Sequence, residues 1–238
     1  MKKIERIVTD LGDIYHKNGQ QAREYLLNAR RLREQFGTGP AIVYSWFYSV
    51  PQKWIQVEPK IFQLMKQTSL YNLDTILSLS EKRLATMMRP VIFYNQVSTQ
   101  LKNFCGAVRD LYVSWDRFAE ALEKESIFRV FRTLRNCENN RVTFKNLAAM
   151  KSFVGMNDDL VILDTYVAKV MGINKQEAGK YRTRVERFRN LLRTANRVTK
   201  ELQTCGINDI STIKWSLAIW FSMANIQAGD LLSNNIIY

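Results

Sequence analysis

Apolar residues recur at helical spacing along nearly the whole chain, and little interrupts them. Ala22, Tyr25, Leu26, Ala29, Leu32 and Phe36 fall on one helical face, and Val185, Phe188, Leu192, Ala195, Val198 and Leu202 on another. Only 4 prolines and 10 glycines punctuate the 238 residues, too few turn-formers for a strand-and-turn design. The expected fold class is all-α. Residues 37–40, Gly-Thr-Gly-Pro, read as a helix stop, and the apolar stretch from Ala41 to Val50 reads as a buried helix. Val57, Ile61, Leu64 and Met65 make a short amphipathic helix. Ser78 and Glu81 form a capping-box pair ahead of Leu84, Met87, Met88 and Val91. Apolar positions then run through Val97, Leu101, Phe104 and Val108, through Phe118 and Leu122, and through Phe128, Phe131 and Leu134. Thr143 caps a helix running to about Val154, Asp164 stands just before the helical residues 166–171, and Asn174 with Glu177 resembles another capping box. The last helix carries Ile213, Leu217, Trp220 and Phe221.

Charge narrows the partner. Lys and Arg number 35 against 22 acidic residues, a net charge of +13. Such a surplus favours a polyanion, since each phosphate neutralised releases condensed counterions. The distribution agrees: residues 175–200 hold nine Lys or Arg and two acids, Glu177 and Glu186, and residues 124–151 hold seven basic residues against Glu125 and Glu138. Arg182, Arg189, Arg193, Arg197 and Lys200 form one stripe of a helix, which is the ordinary pattern of a solvated face as well as of a phosphate-binding one. The uncharged stretches 35–52 and 215–229 are broken by glycine, proline or polar residues, so no membrane partner is expected. Three scattered cysteines (Cys105, Cys137, Cys205) and a single histidine, His16, match no metal or iron–sulfur spacing, so no metal and no cofactor is expected.

Four segments resemble helix-hairpin-helix DNA glycosylases of the endonuclease III and 8-oxoguanine glycosylase group, in that family's order. Trp54-Ile55-Gln56-Val57-Glu58 resembles the "W-x-x-V-E" of endonuclease III relatives. Within residues 84–108, Tyr94-Asn95 matches "G-x-Y-N-x-K-A", with Ile92 for glycine and Val97 for lysine. Residues 161–173 resemble "V-D-T-H-V-x-R-V-x-G-L" through Asp164, Thr165, Val167, Val170 and Gly172, with Tyr166 for histidine and Lys169 for arginine. Residues 212–217 resemble the tryptophan-bearing closing helix. The hairpin "L-P-G-V-G-x-K" reads Asn139-Asn140-Arg141-Val142-Thr143-Phe144-Lys145 here, without its glycines, and the four-cysteine loop is absent.

The resemblance spans about residues 50–225. It implies a single unit of two helical lobes with a cleft between them, a central lobe of roughly 55–160 and a second lobe from 1–54 plus 161–238. It also implies a monomer acting on damaged double-stranded DNA, in the cytoplasm with the nucleoid or in the nucleus. The family's essential carboxylate falls on Asp164. Lys145 stands 19 residues earlier, the separation that resembles lysine-dependent 8-oxoguanine glycosylases. In such chemistry the base is flipped from the stack, and a neutral lysine amine attacks C1′ to form a Schiff base. Lys151 is the alternative amine. DNA-contacting candidates are Arg141, Thr143, Lys151, Tyr166, Asn95, Gln96, Arg189 and Arg193. Three readings stay open: a bifunctional glycosylase and lyase, a monofunctional (alkyl-base) glycosylase, and a catalytically silent DNA-binding helical module.

Overall fold

The computed structural model describes residues 2–48, 54–89, 91, 93–155 and 157–224, and over them the chain is all-α. Ile92 and Asn225, which bear on the family resemblance, lie outside the described residues, as do Val50 and the side chains of Trp54, Ile55 and Gln56. Thirteen helices follow in order among the described residues: α1 Lys2–Phe36, α2 Thr38–Tyr48, α3 Trp54–Thr68, α4 Leu73–Ser78, α5 Glu81–Met87, α6 Tyr94–Tyr112, α7 Trp115–Lys124, α8 Ile127–Arg135, α9 Phe144–Phe153, α10 Thr165–Val170, α11 Lys175–Thr183, α12 Val185–Thr204 and α13 Thr212–Ala224.

The helix stop expected over 37–40 shrinks to one residue. Gly37 takes φ +89° and closes α1, then α2 begins at once with Pro40 in its first turn, where a missing N–H costs nothing. Gly39 lets α2 approach closely, because a Cβ there would lie 2.8 Å from the Trp115 ring and 2.9 Å from the Tyr71 carbonyl. The capping box expected at Ser78 is displaced. Ser78 ends α4, its hydroxyl donating to Thr75 O at 2.9 Å, while Ser80 caps α5 by accepting from Arg83 N at 3.3 Å. At α11 only half a box forms: Asn174 accepts from Glu177 N at 2.8 Å, but the Glu177 carboxylate turns to Lys180 at 2.6 Å.

α1 packs along α13, with Tyr25 edge-on to Phe221 at 5.7 Å between ring centroids. A buried polar chain pins α13 to α12: Trp215 Nε1 donates to Thr199 Oγ1 at 2.8 Å, and Thr212 Oγ1 donates to Asn196 at 2.8 Å. The remaining helices gather on the other side, α4 and α5 on α6, and α6 against α7 and α8. Between the two groups lies α9, touching α1, α2, α7, α8 and α11. Eight of its residues are buried, Lys151 and Ser152 among them, as befits a helix with neighbours on several sides. Arg30 clasps Asp158 and donates to Ser152 O at 3.1 Å, and Arg33 clasps Glu123 and donates to Val154 O at 3.0 Å, so α1 holds the far end of α9. What remains open is the start of α9, and Lys145 is its second residue.

Candidate active site

Thr143 caps α9 and fixes its first turn through a reciprocal capping box. Asn146 N donates to Thr143 Oγ1 at 3.3 Å, and the Asn146 side-chain oxygen accepts from Thr143 N at 2.9 Å. The Thr143 hydroxyl also donates to that oxygen at 2.5 Å, so it is committed to the cap, and only the helix N-terminus remains to meet an anion. In place of hairpin glycines, Asn139 takes φ +59°, a region asparagine enters at low cost, and Asn140 accepts from Val142 N at 3.1 Å. Beneath the turn, Phe144 is stacked between Phe131 at 3.9 Å and Phe188 at 4.4 Å. Each such pair contributes about 0.5–1.5 kcal/mol beyond its buried area. The Lys145 backbone is therefore set by a cap above and an aromatic stack below.

Asp164 caps α10, accepting from Val167 N at 2.7 Å. The two helix starts lie within electrostatic reach of each other. Burial pulls the half-buried Lys145 amine down to about 8, the Asp164 charge opposes that fall, and the Arg182 charge adds to it. Burial lifts the Asp164 carboxyl above its ordinary range, against Lys145, the Val167 and Tyr166 amides, and Arg182. Burial thus drives both groups toward their neutral forms, and their attraction works the other way. An amine titrating near 8 is neutral about one time in ten at pH 7, against roughly one in several thousand for ordinary lysine. No described residue hydrogen-bonds or ion-pairs with it.

Three neighbours were not legible as site residues. Arg182, read on one basic stripe with Arg189, Arg193, Arg197 and Lys200, stands apart from them on α11 and turns inward from its last turn, where its Nε donates to Leu163 O at 3.0 Å. Tyr48, at the end of α2, is buried where both Asp164 and Glu58 push its phenol well above its ordinary range, after burial itself. Glu58 is fully buried on α3 and accepts from the Tyr44 hydroxyl at 2.6 Å. Burial pushes its carboxyl up to about 7.

The DNA candidates divide. Arg141 and Arg193 are exposed, and Tyr166 is 36% exposed beside Asp164. Arg189 sits over the Phe128 ring at 5.0 Å and pairs with Glu186 at 2.5 Å. Its neighbour Phe188 stacks on Phe144, which brings this end of α12 beside Lys145. Asn95 and Gln96 are exposed on the first turn of α6. Lys151 does not fit the surface or nucleophile role expected of it. It is 5% exposed, and its amine donates to the carbonyls of Leu122, of Glu123 at 3.5 Å and of Glu125 at 2.7 Å. Three N–H bonds face three carbonyls at the C-terminal end of α7, which orders the helix end and leaves nothing for a phosphate or a sugar carbon. The residue ahead of α6 supplies a surface that sequence patterns missed: Phe93 is 66% exposed and held at φ +59° with no side-chain cap.

No family model matches the sequence, and no curated protein matches it. Among solved structures the chain is similar to the 8-oxoguanine DNA glycosylase of Methanocaldococcus jannaschii, with a TM-score of 0.57 at 13% identity, over 92% of this chain and 94% of that one. At such identity the likeness shows the fold: an all-helical, DNA-glycosylase-like architecture along nearly the full length of both chains. No described helix is long and apolar enough to cross a membrane.

Proposed function

We propose that this protein is a DNA base-excision glycosylase with abasic-site lyase activity, in which Lys145 is the nucleophile and Asp164 the essential carboxylate. One observation carries the reading: a desolvated lysine amine at the mouth of a rigid helix start, within electrostatic reach of a helix-capping aspartate. The neutral amine donates its lone pair to C1′ as the C1′–N bond to the base breaks and the base leaves with a proton. The nitrogen then gives up a proton, and its lone pair forms the C1′=N bond as the C1′–O4′ bond breaks and the ring oxygen leaves as the protonated 4′-hydroxyl. Loss of a C2′ proton from this Schiff base expels the 3′-phosphate by β-elimination and cuts the strand. Asp164 supplies negative charge where the sugar turns positive. The solved structure of similar fold is named as an 8-oxoguanine glycosylase, which makes that base the first substrate to try. In this reading the protein acts as a monomer on damaged duplex DNA, residues 55–160 form the central lobe, and 1–54 with 161–238 form the other.

Incubation with duplexes carrying 8-oxoguanine, an alkylated base or an abasic site tests it. Direct nicking of a damaged duplex is expected. Base release without nicking points instead to a monofunctional glycosylase, and neither product to a silent DNA-binding module.

Binding divides between charge and shape. Arg141 and Arg193 supply phosphate contacts, with Arg189 lending the part of its charge that Glu186 leaves. Phe93 supplies an apolar wedge. A left-handed aromatic costs about 1–3 kcal/mol, and an exposed one gains nothing from the core. Side chains of that kind slip between base steps and unstack them, as flipping requires. Arg141→Glu with Arg193→Glu is expected to weaken binding to every duplex and to flatten the log–log salt slope by about two. Phe93→Ala is expected to leave that slope unchanged while slowing excision by about tenfold, since losing partial unstacking restores a cost of a few kcal/mol in part. Fluorescence anisotropy across a salt series decides: an unchanged slope in the double variant removes this surface from the account.

A further inference from the structure

We propose that Arg182 is a positioning residue of this site, anchoring the backbone that carries Asp164 and holding a fixed positive charge against the Lys145 amine. The inference rests on the proposed role of Lys145. α11 packs against both α9, which presents Lys145, and α10, which Asp164 caps, and the Arg182 charge in its last turn acts on both Lys145 and Asp164. From there Arg182 reaches 19 residues back along the chain, and Nε donates to the carbonyl of Leu163, the residue before Asp164. That bond fixes the approach of the Asp164 backbone to α10.

The cost of the placement shows that the bond is not its whole purpose. Among the described residues, the other cations of this basic run have acidic partners or open solvent. Lys180 pairs with Glu177 at 2.6 Å, Arg189 with Glu186 at 2.5 Å and Arg197 with Glu201 at 4.0 Å, while Arg193 and Lys200 are exposed. Arg182 is half-buried and has no ion pair, and a neutral donor would satisfy one carbonyl without desolvating a charge. Its compensation is the nearby Asp164 carboxylate, and its effect on Lys145 is opposite in sign. Burial lowers the Arg182 guanidinium's proton affinity and Asp164 restores part of it, while Arg182 in turn depresses the Lys145 amine and favours ionised Asp164. The charged groups facing Lys145 are Asp164 from α10 and Arg182 from α11. Asp164 is faced by both cations and by the Tyr48 phenol from α2. A cation beside a lysine favours the neutral amine, and one beside an aspartate favours the carboxylate. A single guanidinium therefore prepares both partners for the same step.

The charge state of Lys145 is measurable without DNA. Lysines reductively methylated with ¹³C-formaldehyde report their titration by NMR, and a Lys145→Arg sample assigns the Lys145 signal. Relative to wild type, Arg182→Gln is expected to move the Lys145 midpoint up by about one unit, and Arg182→Lys to leave it nearly in place. The pH at half-maximal borohydride trapping on a damaged duplex should move with it. An unchanged midpoint in Arg182→Gln overturns the proposal. Should that variant lose the helical circular dichroism of the wild type, Arg182→Lys decides, because a midpoint raised as much with the charge retained also overturns it. Absence of trapping in the wild type defeats the lyase reading alone, and the NMR midpoints still decide the role of Arg182.

Discussion

Lys145→Gln is expected to abolish borohydride trapping of the protein on a damaged duplex while retaining most of its DNA affinity. An imine between Lys145 and C1′ is the one species that borohydride turns into a permanent protein–DNA link, and glutamine has no amine with which to form it. Wild-type trapping should rise with pH through about 8. The sign follows from the attacking form: the neutral amine is the nucleophile, its fraction grows as pH passes the titration point, and burial has drawn that point down to about 8. Glutamine fits the same half-buried place, and Phe144 and the Thr143 cap hold the helix start without help from the Lys145 side chain. Binding should then fall by no more than one phosphate contact. Full trapping by the variant would move the nucleophile elsewhere. Lys151 is a poor heir, since its amine is spent on the carbonyls of Leu122, Glu123 and Glu125, and the N-terminal amine would be next in line.

The helices were legible because apolar spacing is a local property, and the site was legible only where a cap or a family pattern marked it. Thr143 and Asp164 are short polar residues just ahead of apolar runs, and both cap as expected. The first half of α1 went unread although Ile7, Leu11 and Tyr15 continue the stripe through Ala22; the glycines at 12 and 19 obscure a pattern that burial against α12 and α13 sustains. A two-residue slip put the α5 cap on Ser78 because two serines stand two apart and only geometry chooses between them. Lys151 and Arg182 make the deeper contrast. Both look like solvated cations in a basic run, and both turn inward, because the groups that receive them come from distant segments: the carbonyls ending α7 for one, Leu163 for the other. No window along the chain contains those partners. Phe93 was hidden for another reason, since a positive φ at an aromatic residue is imposed by the turn around it and leaves no mark in composition.

Asp164→Asn is expected to slow base excision by about 10²-fold or more with little loss of fold, since one preorganised charge is commonly worth that much at a developing cation. The substitution separates the two uses of this side chain. As a cap, Asp164 accepts from Val167 N through Oδ1, and an asparagine carbonyl oxygen can accept the same bond, so thermal stability should change little. As a charge, it stabilises positive character on the sugar in the proposed reaction and favours the protonated Lys145 amine, and asparagine does neither. The second effect gives a signature. Without the carboxylate, burial and Arg182 act on the Lys145 amine unopposed, so the pH at half-maximal trapping should move below the wild-type value near 8 even as the maximal rate collapses. A slow variant with an unshifted midpoint would mean that Asp164 acts on the sugar without setting the state of the amine. Near-normal excision with an intact melting temperature would reduce Asp164 to a helix cap and remove the carboxylate from the mechanism.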